Sequence, residues 1–187
     1  MLAGEPWSDS PQSVHPVLAS VARAVNDRVG DDTRSRLSRL VPMMLDTEDT
    51  GLHGCAAVVA ACAEAALDTE DCDMATRCGL EAARRRARRI LGGRATSARM
   101  RSNRLGAPLA EVLDWAYCHG AVLRTAEAVA VVANADLGTD RDEDERLERL
   151  LDACAAAASE IARTTRAVPS ESASRAVEPG DATLVGV

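Results

Sequence analysis

Apolar side chains recur at every third or fourth position through most of the chain, and this spacing sets the fold class. The clearest stripe places seven side chains on one face of an α-helix: Leu147, Leu150, Leu151, Cys154, Ala158, Ile161 and Ala162. Alanine, the best helix former, makes up about a fifth of the chain, whereas phenylalanine is absent and tyrosine occurs once. The β-branched and aromatic runs that favour strands are scarce. The sequence predicts an all-α protein, a compact orthogonal bundle of five or six helices.

Proline and glycine divide these stripes into helices. Pro16 is well placed at the first position of a helix, which ends near Gly30. A second helix is predicted to start at the capping residues 31–33 and to end or bend at Pro42, because proline lacks the amide hydrogen and crowds the preceding turn. The segment from about residue 52 to residue 67 is apolar on nearly all sides, so the third helix is predicted to be buried.

Three further helices complete the prediction. The fourth is capped by Asp71 or Asp73 and ends at Gly92 and Gly93. The fifth is opened by Pro108 and runs to about residue 133, and the sixth runs from residue 140 to about residue 165.

The domain organisation follows from these helices. A chain of 187 residues is long enough for one domain with a real core. We predict a turn-rich N-terminal segment at 1–15, a helical domain at 16–166 and a C-terminal tail at 167–187. The tail is rich in serine, glutamate, proline and glycine and is predicted to be disordered.

The first quarter of the chain resembles a known group of proteins. The block AGEPWSDSPQSVHPVLASVARAVND at residues 3–27, followed by DDTRSRL and by LVP at 40–42, is similar to the start of a family of uncharacterised actinobacterial helical proteins. The likeness covers residues 3–47. Where that family often has a cysteine before the helix, this chain has Ser13 and His15. The resemblance implies a helical fold and an additional apolar segment before Ala3 in the relatives, and it brings no known activity.

Charge is unevenly distributed along the chain. All 22 basic residues are arginine and the net charge is −7, which argues against a general polyanion-binding protein. The basic segment, residues 77–104, nevertheless has ten arginines and one acid, a local charge of +9, so the rest of the chain carries −16. Such segregation of charge indicates a binding partner or internal ion pairs, and it gives no information on the fold class.

The basic segment contains an amphipathic helix whose polar face is almost entirely guanidinium. Its predicted buried arc consists of Leu80, Ala83, Ala87, Ile90 and Leu91. The candidate anion- or partner-binding residues are Arg84, Arg85, Arg86, Arg88, Arg89 and Arg94. The planar arginine fork donates two parallel hydrogen bonds to phosphate, but no aromatic residue between positions 72 and 110 can stack on a base. We prefer a solvated or internally paired face, with an acidic protein partner and a nucleic acid as alternatives.

The acidic stretch, residues 140–148, is the natural counterpart of this helix. Its sequence DRDEDERLE has six acids and two arginines. Acids at a helix start are stabilised by the helix dipole without any partner. The more specific hypothesis is that the stretch pairs with the arginine helix, within one chain or between two.

A second candidate region is DWAYCHG at residues 114–120. A thiolate–imidazole pair would suit nucleophilic catalysis, but neighbouring residues on a helix do not face each other. Cys118 and His119 therefore cannot pair, and Cys118 would need a partner such as Cys55 or His53. Buried thiols and a histidine packed between helices explain the same segment without catalysis, so no catalytic residue is predicted.

Metal and cofactor motifs are missing from the sequence. Its histidines and cysteines lack the close CxxC or HxxxH spacing by which metal sites are recognised in a sequence, so no metal is predicted. There is no P-loop, dinucleotide glycine motif, HExxH or GxSxG, so no cofactor is predicted. The sequence shows no signal peptide and no apolar run of 18 residues. We therefore predict that the protein is cytoplasmic, does not associate with a membrane and keeps its six cysteines reduced.

These patterns predict a non-enzymatic helical protein-interaction or regulatory module that acts through a protein partner or self-association. One alternative is a regulator that binds nucleic acid through the basic segment. The other is a small helical enzyme with a site near residues 115–119.

Overall fold

A computed structural model describes residues 11–69, 72–93, 106–135 and 139–167. Within these residues there is no strand, and six helices have at least seven residues: α1 Pro16–Asn26, α2 Asp31–Leu37, α4 Gly51–Leu67, α5 Met74–Leu91, α6 Ala107–Asn134 and α7 Asp140–Ala167. A short α3, Val41–Met44, and two 3-10 turns, Ser38–Leu40 and Glu48–Thr50, link α2 to α4. The all-α prediction is confirmed. The predicted disordered tail and most of the turn-rich start lie outside the described residues.

Helix α4 is the centre of the bundle. It packs against α1, α5, α6 and α7, and its Cys55, Ala56, Val58 and Ala66 are fully buried. Together with the 3-10 turn before it, this is the one described helix long and apolar enough to cross a membrane, but 61% of its apolar window is buried in the fold. Its apolar character is explained by its central position, as the sequence predicted.

Small side chains let the other helices approach α4 closely. On α7 the predicted stripe is buried, apart from the partly exposed Ile161. On α6 the buried positions are mostly alanine and valine, including Ala128 and Val129. Because protein interiors pack at the density of organic crystals, a core of alanine, valine and leucine requires short distances between helix axes.

The predicted starts of α1, α5 and α6 and the predicted ends of α5 and α6 are close to the observed ones, whereas α1 ends at Asn26, four residues before the predicted end at Gly30. Pro16 is the first residue of α1 and Pro108 the second residue of α6. Asp73 caps α5, since its carboxylate accepts hydrogen bonds from the amides of Ala75 and Thr76 at 2.9 and 3.1 Å. Gly92 ends that helix. Local capping chemistry therefore sets these boundaries.

Residues 30–45 differ from the prediction in one respect. The chain bends before Pro42, as predicted, by passing from α2 through a 3-10 turn into α3. The predicted cap at residues 31–33 is wrong, because Gly30 is the N-cap and no side chain caps the helix. The Gly30 amide instead donates to the carboxylate of Asp144 on α7, at 3.2 Å to each oxygen. This long-range contact holds the N-cap residue of α2 against α7.

Candidate functional site

The most unusual surface of the protein is an exposed apolar face on α6. Four large apolar side chains on this face are 48% to 73% exposed: Leu109, Val112, Trp115 and Leu123. With His119, which is also exposed, they follow one another at intervals of three or four residues. Residues at this spacing share one side of a helix. We call this set of five residues the α6 face. From Leu109 to Leu123 it extends for about 21 Å along the helix axis.

Trp115 and His119 form a stacked pair in the middle of the α6 face. Their ring centroids lie 5.1 Å apart with an interplanar angle of 11°. Trp115 is 67% exposed, and His119 is exposed as well. The predicted role of His119 as a histidine packed between helices is wrong, because its ring lies on the surface against the indole. This stacking fixes the orientation of a large exposed aromatic group.

Cys118 points away from that pair and towards the core. It is half-buried and hydrogen-bonded to Cys55 of α4, one of the two partners that the sequence analysis suggested. The shared hydrogen bond, together with burial, raises the pKa of Cys55. The same bond lowers the pKa of Cys118, and partial burial opposes this change. The arrangement joins a thiol to a thiol, and it brings no imidazole to Cys118.

The remaining cysteines are also free thiols. Cys62 of α4 and Cys154 of α7 are both buried, and their sulfur atoms lie 3.3 Å apart. The hydrogen bond between them and burial raise the pKa of Cys62. Cys72 is partly exposed and Cys78 exposed. Among the described residues no group of three or more histidine, cysteine or acidic side chains could hold a metal ion.

A cavity of about 270 Å³ lies beside the α6 face, between α4, α5 and α6. Arg86 of α5 and Arg124 of α6 line it, and Tyr117 contributes its ring. The guanidinium carbon of Arg86 lies 5.0 Å from the centroid of that ring. Gly79 of α5 lies close to Arg124, and Arg86, seven residues later on α5, lies over Tyr117, seven residues earlier on α6. The two helices therefore run antiparallel along the cavity. Burial is the main reason that the pKa of Tyr117 is raised.

The arginine helix is α5, and intramolecular contacts hold several of its candidate residues. Arg85 forms an ion pair with Glu81 at 3.2 Å, and Arg88 one with Glu64 of α4 at 2.7 Å. Arg89 donates to the carbonyl of Arg85. The Nε of Arg84 is buried without a hydrogen-bond partner among the described residues, and Arg94 lies outside them. The prediction that Leu91 belongs to the buried arc is wrong, because Leu91 is the last residue of the helix and is 37% exposed.

Among the described residues, no ion pair joins the acidic stretch to the arginines of α5. Its buried member, Glu148, accepts hydrogen bonds from Arg36 at 3.0 and 3.2 Å and pairs with Arg39 at 2.9 Å. The stretch is therefore tied to α2 and the following 3-10 turn. The sequence analysis suggested that the acidic stretch pairs with α5 within one chain or between two chains. Pairing between two chains remains a prediction.

His15 is a structural residue that the sequence analysis missed. It is only 4% exposed and caps α1, where its Nδ1 accepts from the amide of Val17 at 3.3 Å. Its Nε2 lies 3.1 Å from the carbonyl oxygen of Gly51. Burial lowers the pKa of His15, and the hydrogen bond to Gly51 opposes this. Histidine is an uncommon cap, so no local signal indicated the role.

Comparison with known proteins gives no relative for this chain. No protein-family model, no curated protein and no solved structure matches it. The resemblance of residues 3–47 to actinobacterial proteins stays a prediction.

Proposed function

We propose that this protein is a non-enzymatic interaction module that pairs with a second copy of itself through the α6 face. The observation that carries the proposal is the run of exposed large apolar side chains on one side of α6. Single exposed apolar residues are common on protein surfaces, but a continuous apolar surface is typical of an interaction site. Trp115, already oriented by His119, would bury a large aromatic area at little cost in side-chain entropy.

The charges at the two ends of α6 favour a second copy as the occupant. In the sequence the helix is preceded by the basic segment, residues 77–104, and followed by the acidic stretch, residues 140–148. The start of α7 is held to the end of α6, since Arg146 donates to the carbonyl of Ala135 at 3.1 Å. Antiparallel pairing of two α6 faces would therefore oppose basic and acidic ends twice. A two-fold axis produces this arrangement, because it repeats every contact in both directions.

Oligomeric state and Trp115 fluorescence test the proposal together. With Trp7→Phe, Trp115 becomes the single tryptophan of the chain. We expect dimers in sedimentation equilibrium, with the tryptophan emission shifting to shorter wavelength as the dimer forms. Val112→Gln with Leu123→Gln should weaken the dimer at least about tenfold, since each apolar side chain loses burial worth about 1.5–3 kcal/mol. Glutamine is a good helix former, so circular dichroism should not change.

The matched control is Met74→Gln, which replaces an equally exposed apolar residue on α5 and should leave the dimer intact. Higher salt should weaken the dimer, because the opposed ends carry opposite charges. A wild-type chain that stays monomeric at every concentration would contradict the proposal and point to a different occupant of the α6 face. A dimer that tolerates both glutamines would place the interface elsewhere.

We also propose that the protein works in a reducing compartment, the cytoplasm. Six free thiols support this, including the adjacent pair Cys62 and Cys154. Disulfides form readily from such pairs in oxidising compartments, whereas cytosolic reductants keep them apart. Catalysis near residues 115–119 has less support, because Cys118 is hydrogen-bonded to Cys55 and the His119 ring is stacked on Trp115.

A further inference from the structure

The cavity between α4, α5 and α6 combines apolar walls with two cationic groups. Val59 and several alanines form its walls, and Arg86 and Arg124 contribute guanidinium groups. Its volume of about 270 Å³ compares with about 150 Å³ for an apolar cavity that binds benzene. A ring with one small substituent therefore fits.

The two guanidinium groups are held in place by their neighbours. Arg86 stacks over the Tyr117 ring and has no carboxylate partner among the described residues. Arg124 is held by Glu127 of the same helix, at 2.8 Å. One of the two positive charges is thus neutralised within the chain, and the other is left for a ligand. A fixed planar fork recognises a carboxylate or a phosphate by two parallel hydrogen bonds.

Glycine keeps the cavity open. A Cβ atom on Gly120 would meet nothing within 4 Å, although Gly120 lies inside α6 and lines the cavity. Glycine destabilises the interior of a helix relative to alanine. The packing of the described residues does not require it at this position, so a larger side chain there would occupy the cavity without a clash at Cβ.

We propose that this cavity binds a small organic anion, with a compact apolar body and one carboxylate or phosphate group. The anionic group pairs with Arg86, whose charge has no carboxylate partner among the described residues, and the body lies against Val59, Ala82 and Ala116. The Tyr117 ring forms part of the cavity wall, whereas its hydroxyl is buried and has no hydrogen-bond partner among the described residues. The site does not depend on pairing of the α6 face.

Binding of four probes to the wild-type chain tests the chemistry. Benzoate and phenyl phosphate carry the two anionic groups, benzamide has the same body without charge, and inorganic phosphate lacks the body. We expect saturable binding of at least one of the two aromatic anions in NMR titrations, with shifts at Tyr117 and Gly120. The stronger of the two identifies the anionic group. Benzamide should bind at least about tenfold more weakly, because it loses the hydrogen bonds between charged groups. Inorganic phosphate should also bind at least about tenfold more weakly, because it has no apolar body to bury.

Variants separate this site from adventitious anion binding. Arg86→Gln with Arg124→Gln should weaken the bound aromatic anion at least about tenfold. Gly120→Leu, which keeps both arginines but fills the cavity, should abolish binding. The control Arg149→Gln with Arg163→Gln removes the same charge from exposed positions on α7 and should change nothing.

Three results would overturn the proposal. The first is no saturable binding of either aromatic anion to the wild-type chain. The second is binding that survives Gly120→Leu, because the anion would then lie outside the cavity. The third is equal binding of benzamide and benzoate, because the arginines would then play no part. Circular dichroism and thermal melts of each variant confirm that the fold is retained.

Discussion

At the scale of single residues, the contacts of His15 define its protonation state. Nδ1 accepts from the amide of Val17, and Nε2 can then only donate to the carbonyl of Gly51. The neutral ring with its proton on Nε2 is the one form that satisfies both contacts. Protonation of Nδ1 would place two donors against each other, in a side chain that is 4% exposed. The fold therefore favours neutral His15.

This contact predicts a loss of stability in mild acid. Because the pKa of His15 is lowered on folding, the unfolded chain binds the proton more tightly. The stabilisation is complete above the unfolded value of 6.5 and decreases as the pH falls below it, by up to about 1.4 kcal/mol per pH unit. Urea unfolding of the wild type between about pH 7.5 and pH 5 should show this decrease.

His15→Asn is the variant for comparison, since asparagine keeps a capping side chain but does not titrate. Its free energy of unfolding should lack the decrease that His15 causes below pH 6.5. His53 and the nearby acids Glu48 and Asp49 are exposed and are present in both proteins, so they cancel in the comparison. An equal pH dependence in the two proteins would contradict the assignment.

At the scale of helices, the sequence predicted the elements whose ends depend on neighbouring residues. Pro16, Asp73 and Gly92 act within one turn of the helix they start or end, so their effect is visible in the sequence. The start of α2 could not be predicted in this way. Its cap residue is Gly30, whose amide donates to Asp144 on α7, and a contact 114 residues away leaves no local signal.

The same long-range junction between α2 and α7 includes a buried carboxylate. The side chain of Glu148 is only 10% exposed, whereas those of Arg36 and Arg39 are 48% and 61% exposed. Removal of both arginines would leave an unpaired charge in a buried position, which is more costly than loss of a surface ion pair. We expect Arg36→Ala with Arg39→Ala to lower the free energy of unfolding by about 1–3 kcal/mol, after discounting for solvent screening.

Adding Glu148→Leu to this double variant should recover most of the loss, because an apolar side chain needs no partner in that position. Arg141→Ala is the control. It breaks the exposed pair with Glu145 and should cost about 0.5 kcal/mol or less. Urea unfolding measures all three variants. A double variant as stable as the wild type would show that water already compensates the charge of Glu148.

At the scale of the whole molecule, the candidate surfaces were only partly predictable. The sequence singled out Trp115 and His119 for their residue types, but it could not show which side of α6 is exposed. That helix is apolar around most of its circumference, so the periodicity of its sequence does not separate the buried face from the exposed one. The cavity is also a tertiary feature, since Arg86 and Arg124 are 38 positions apart in the sequence and both line it.

The arginines of α5 give the last prediction, which concerns polyanions. Arg85 and Arg88 are already paired with Glu81 and Glu64, and the chain as a whole carries a charge of −7. Binding to DNA would have to break or share these pairs against the repulsion of the remaining acids. We therefore expect generic double- and single-stranded DNA and RNA to bind no more tightly than about 10⁻⁴ M at physiological salt, the weak end of non-specific binding.

Titrations at physiological salt and at a series of lower salt concentrations, with wild type and with Arg85, Arg86 and Arg89 changed together to Gln, measure this affinity and its salt dependence. The control changes Arg141, Arg149 and Arg163 to Gln, which removes the same charge from exposed positions on another helix, α7. A nucleic-acid surface on α5 would give micromolar or tighter binding, abolished by the first triple change and retained by the second. Its log K would fall against log salt with a slope of about −0.9 for each phosphate contacted on double-stranded DNA. Weaker dimers in the first variant, with no nucleic-acid affinity to lose, would agree with arginines that serve contacts between two copies of the chain.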